Sequence, residues 1–97
     1  MKKRVIKIFG WTYKIDKSKN SKQLDGAIGQ LSPCKTVLHI AKDACLVAQE
    51  SILIHEMVEA LNFHLDLNLD HRKINLLEIG IHTVLKDNGI DLSKLVK

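Results

Sequence analysis

The chain is expected to fold as an α+β domain in which a small sheet of about four short strands, in the N-terminal half, packs on two antiparallel helices. Three observations predict this. Up to about residue 42 the apolar residues come in short runs separated by Gly10, by polar stretches and by "SPC", which is the rhythm of strands and turns. From about Ala44 to Leu65 there is no glycine or proline, and the run is long enough for a helix. "LDLNLD" then breaks the pattern before a second periodic stretch, and helices joined by a short connection pack antiparallel as neighbours.

The elements follow in order. "RVIKIF", Gly10 and "WTYKI" read as two strands around a glycine turn, since Ile6 and Ile8 alternate with Val5, Lys7 and Phe9 and the second run is β-branched and aromatic. "DKSKNSKQLDG" is a polar loop. "AIGQL" is a third strand and "TVLHIA" a fourth, in which Leu38 and Ile40 share one face. Asp43 is the expected N-cap of the first helix, about 44–65. Asp70 is the expected cap of the second, about 71–88, which Gly89 closes. "IDLSKLVK", residues 90–97, is a short amphipathic tail.

With 97 residues, 45% hydrophobic and 27% charged, the sequence has the size and balance of one globular domain with one modest core. No apolar run approaches a membrane span, and the basic start "MKKRVIKIFG" has no apolar signal region behind it, so no membrane association and a cytoplasmic location are expected. Cys34 and Cys45 form neither a CxxC pair nor a disulfide framework and are expected to stay reduced, with Cys45 a small buried side chain. A monomer or small homo-oligomer suits this length.

The net charge of +4 conceals an asymmetry. Residues 1–42 carry ten Lys/Arg against two acids, whereas residues 43–97 carry five against nine. The basic residues are spread over strands and a turn with no nucleic-acid-binding motif among them, so a solvated surface or edge-strand protection is preferred to nucleic acid.

"ILIHEMVEALN", residues 52–62, sets a histidine, two glutamates and an asparagine into an apolar helix. At about 100° per residue, with His55 at zero, Glu59 falls near 40°, Asn62 near −20° and Ser51 near −40°, with apolar residues on both borders. Leu53, Ile54, Met57, Ala60 and Leu61 fill most of the remaining circumference. Such a helix is central, and a buried Glu59 would need a compensating partner. A metal held by His55 and Glu59, one turn apart, would supply it. The plain alternative is a metal-free polar cluster in which these side chains hydrogen-bond to one another and to Asn62 or His71.

The second helix repeats the anomaly. Ile74, Glu78, Ile81 and Leu85 have the spacing of a buried stripe with a carboxylate in its middle. His71 begins the same face, and either His71 or Glu78 can complete a three-ligand site. The two are about 10 Å apart along the helix, which argues against both as direct ligands. His82, one turn beyond Glu78, is the candidate to orient that carboxylate by a hydrogen bond. His64 lies about 180° from His55 and cannot share its site. His39 belongs to a strand, and Phe9, Trp11 and Tyr13 are expected in the core.

"SILIHEMVEALN", "LDHRKINLLEIGIHTVLKDNG", "FGWTYKI" and "AIGQLSPCKTVLHIAKD" together resemble the minimal zincin-like metallopeptidases of phages and prophages, over about Val5 to Gly89. The resemblance implies a small sheet, an active-site helix with an HExxH motif and a following helix that supplies a further ligand. It implies zinc, or another divalent transition metal, with His55 as first ligand and Glu56 as the general base that activates a water against a peptide carbonyl. The second-histidine position of the motif is occupied here by Glu59, an anionic ligand that makes a bound water less acidic.

Two functions are thus expected to compete. One is a zinc-dependent peptidase whose peptide or protein substrate adds to the sheet edge beside the active helix. The other is an inactive binding or structural protein of the same fold, with or without metal, whose basic half meets an acidic partner.

Overall fold

A computed structural model describes residues 4–97. Strand β1 (Val5–Ile8) and strand β2 (Trp11–Asp16) form the expected hairpin, with Ile8 paired to Trp11. Its two-residue turn places both Phe9 (φ 53°) and Gly10 (φ 79°) in left-handed backbone. That is the primed geometry matching the twist of the flanking strands, with glycine where no side chain is tolerated cheaply. Phe9 and Trp11 are swung outward and are exposed, against the expectation that they are core; Tyr13 alone of the three is fully buried.

Strands β3 (Gly29–Ser32) and β4 (Val37–Ile40) complete a four-stranded sheet of order β1-β2-β4-β3. β4 pairs parallel with β2 and antiparallel with β3. The sheet's edges are therefore β1 and β3. The polar loop between β2 and β3 is more structured than its composition suggests. It holds a 3-10 turn at Lys22–Leu24 and buries Leu24.

Helix α1 (Leu46–Leu65) crosses one face of the sheet. Ile52 and Leu53 pack with Ile15, Leu38 and Ile40, while Ala60 packs with Ile8 and Tyr13. Asp43 does not cap α1. Its carboxylate accepts hydrogen bonds from Ser21 N and Oγ at 2.9 and 2.8 Å, tying the polar loop to the helix entry, and exposed Cys45 takes the cap position without a side-chain bond. Cys45 is thus not the buried side chain expected, and both cysteines are free.

Asp66 ends α1 in left-handed backbone, and Asp70 begins helix α2 (His71–Asp87) by accepting from Lys73 N at 2.9 Å. This is the expected cap, satisfying one of the helix's orphan donors. Contacts between the helices run in opposite senses along the chain: Asn62 with Leu69, Val58 with Ile74, His55 with Glu78 and Glu50 with Lys86. The helices are antiparallel. Ile81, expected in the buried stripe, instead points to solvent, because the stripe is held by Ile74 and Leu85 against Ile54 and Val58.

The tail forms a last short helix, α3 (Ser93–Val96), whose Val96 is fully buried in the main core. Lys17 Nζ donates to the Val96 carbonyl and fastens the tail to the end of β2. None of the described helices is long and apolar enough to cross a membrane.

Candidate metal and catalytic centre

Three carboxylates and two imidazoles gather where α1, α2 and the edge strand β3 meet. His55 Nδ1 lies 2.8 Å from Glu78 Oε1 across the helix pair. A carboxylate accepts, so Nδ1 carries the proton, and in the neutral form of the ring the lone pair is on Nε2. Ser51 Oγ donates to the other oxygen of Glu78. Glu78 is therefore held from two sides and fixes both the tautomer and the plane of the His55 ring.

The free Nε2 faces the opposite direction. Glu59 Oε2 stands 3.9 Å from it, and the His71 ring sits edge-on to the His55 ring with centroids 5.6 Å apart. Glu78 occupies the Nδ1 side of His55, while His71 borders both the cleft that holds Glu59 and the recess that holds Glu78.

Glu59 is not the buried acid that the helical arithmetic suggested. Its side chain is 33% exposed at the mouth of the cleft, whereas Glu56 is the carboxylate enclosed, at 6%. β3 explains this, because it lies over the Glu56 side of α1. Burial pushes the Glu56 carboxyl up to about 7, His55 opposes the rise, and the charges of Glu59 and Glu78 add to it.

Gly29 makes that enclosure possible. A Cβ on it would stand 2.5 Å from Ile52 Cγ2 and 2.8 Å from Glu56 Oε2, so only glycine lets β3 approach α1 this closely. The sequence offered a signal, since a glycine within a strand marks a bulge or a close backbone approach. A cleft of about 520 Å³ opens beside it, lined by Gly29, Gln30 and Leu31 on the strand and His55, Glu56, Glu59 and Phe63 on α1. A second recess of about 310 Å³ continues past Ser51 and Glu78.

Two expected supporting residues act elsewhere. Asn62 borders the cleft, but its Oδ1 accepts from Leu69 N at 2.9 Å and its amide serves the turn between the helices. His82 makes no bond to Glu78, whose oxygens are taken by His55 and Ser51; His82 Nε2 is buried without a partner among the described residues. His64 is remote from the centre, as its position on α1 requires. It meets Tyr13 Oη at 2.6 Å and stacks on Trp11.

Imidazole and carboxylate donors of this kind suit zinc. Among the described residues, however, no three His, Cys, Asp or Glu side chains already stand in a closed metal-ligating group. His55 is fixed in place, and the two candidates that must turn toward its Nε2, Glu59 and His71, are respectively half-buried and exposed.

Comparison of the chain with family models, with curated proteins and with solved structures gives no match.

Proposed function

We propose that this protein is a zinc-dependent hydrolase of peptide bonds, with His55, Glu59 and His71 as metal ligands and Glu56 as general base. The observation that carries the reading is the fixed imidazole. Glu78 and Ser51 orient His55 so that Nε2 presents its lone pair to the cleft, the arrangement by which a carboxylate prepares a histidine for a metal. Glu78 is on this reading a positioning residue.

A bound divalent cation supplies Lewis acidity toward a water and a peptide carbonyl. The protein's own contribution is Glu56. Enclosed against Gly29 and held near a pKa of 7, its carboxylate can take a proton from a water in the cleft and pass it to the leaving amine. Strand β3 pairs with β4 on one side only, and Gly29, Gln30 and Leu31 line the same cleft. An extended peptide adding to the free edge of β3 would lie across His55 and Glu56.

One observation favours a second reading. The Ser51, Glu78 and His55 side chains satisfy one another by hydrogen bonds, as a binding or structural protein would require. Zinc-loaded wild type and Glu56→Gln, incubated with a degenerate peptide mixture and followed by mass spectrometry, separate the two. Cleavage by wild type and none by a zinc-retaining Glu56→Gln is the expected result. Equal cleavage by both would remove Glu56 as the base, and an inert zinc-loaded wild type would favour the second reading.

A further inference from the structure

The outward face of α2 is apolar and is not covered by the other described residues. Leu76, Val84 and Ile79 are 54%, 58% and 60% exposed, and Leu77 and Ile81 are exposed with them. At about 100° per residue, Lys73, Leu76, Leu77, Gly80, Val84 and Asp87 fall on one strip about 100° wide, opposite the face that carries Ile74, Glu78 and Leu85. Ile79 and Ile81 flank this strip at about 100° to either side of Gly80, and an exposed apolar face of this extent on a small domain calls for a partner.

The order of residues along the strip identifies that partner. Gly80 lies next to the midpoint of α2, whose range is His71–Asp87. Leu76 stands four positions before it and Val84 four after; Lys73 stands seven before and Asp87 seven after. The strip is thus quasi-palindromic in shape and antisymmetric in charge. Laid antiparallel on a second copy of itself, it sets each Lys73 against Asp87 of the other copy and Leu76 at the level of Val84. Laid parallel, it opposes like charges at both ends. Neither Lys73 nor Asp87 takes part in an ion pair among the described residues, and a Cβ on Gly80 would meet nothing within 4 Å, so two backbones can approach there.

We propose that the protein self-associates through α2 as an antiparallel, two-fold symmetric dimer that crosses at Gly80. Such an interface is isologous and closed. From Lys73 to Asp87 the contact strip is about 21 Å long, which places it among small interfaces. Because His71 and Glu78 belong to other faces of α2, the cleft stays open in the dimer, and the proposal is independent of the metal site.

Sedimentation velocity of the full chain over a concentration series, with circular dichroism as the check on folding, tests it. The expected result is a concentration-dependent dimer that becomes monomeric in Val84→Lys and in Leu76→Glu, both exposed positions whose change leaves the helix intact. Lys73→Glu and Asp87→Lys should each weaken association at least tenfold. The double variant should restore it, and an equimolar mixture of the two single variants should form heterodimers. A wild type that stays monomeric up to about 1 mM would overturn the proposal. So would a dimer indifferent to Val84→Lys, or one whose single charge reversals have no effect, as parallel pairing would give.

Discussion

Replacing Glu56 by glutamine should stabilise the metal-free protein at pH 8 and leave its stability unchanged at pH 4. Glu56 is enclosed between Gly29 and α1, and burial above all raises its pKa from 4.5 to about 7. Between those two values the folded chain holds a proton that the unfolded chain releases. The stabilising contribution of that proton is fully present below about pH 4.5 and is lost as the pH rises through about 7. At about 1.4 kcal/mol per pH unit, the interval corresponds to about 3 kcal/mol. Glutamine has the shape of the protonated acid and does not ionise, so it should recover most of that amount at pH 8. Urea unfolding of both proteins in the presence of a chelator, at pH 4, 6 and 8, measures the difference directly. A gap that grows from near zero to about 2–3 kcal/mol is expected. A gap of the same size at every pH would refute the argument that Glu56 is held as an enclosed acid.

Gly29→Ala should lower stability by about 1–3 kcal/mol, since the new methyl meets the buried Ile52 and Glu56 side chains at 2.5 and 2.8 Å; a thermal melt no lower than wild type would show that β3 can retreat. Asp70→Ala removes the α2 cap and should cost about 1 kcal/mol, or about 4–8 °C in Tm for a domain this size. Tyr13→Phe deletes the bond to His64 and should cost about 0.5–1.5 kcal/mol by urea unfolding. Glu78→Gln should reduce zinc affinity by about 10- to 100-fold through loss of control over the His55 ring, read by competition with a chromogenic chelator. Unchanged affinity would remove Glu78 as the positioning residue.

What was legible in the sequence was local. Gly10 announced the β1–β2 hairpin, Asp70 the start of α2, and the i, i+4 spacing of His55 and Glu59 their shared face, because each depends on residues a few positions apart. What was not legible depends on which element covers which. Periodicity around α1 pointed to Glu59 as a buried acid, and only the placement of β3 across the Glu56 side makes Glu56 the enclosed one. The same holds for Asp43, which reads as a helix cap beside Leu46 but is captured by Ser21, 22 positions earlier. His82 had the right spacing for Glu78, yet Ser51 and His55 reach that carboxylate from the facing helix. Lys86 likewise meets the buried Glu50 across the helix pair at 3.1 Å, a contact no spacing within one helix can announce.

Zinc titration into chelator-stripped protein, followed by calorimetry, tests the central claim most directly. One equivalent should bind to wild type. Binding should be lost in His55→Ala and weakened at least tenfold in Glu59→Ala and in His71→Ala, with unchanged circular dichroism in each. A folded wild type that takes up no zinc, or one that binds equally well after His55→Ala, would contradict the assignment of this centre as a metal site.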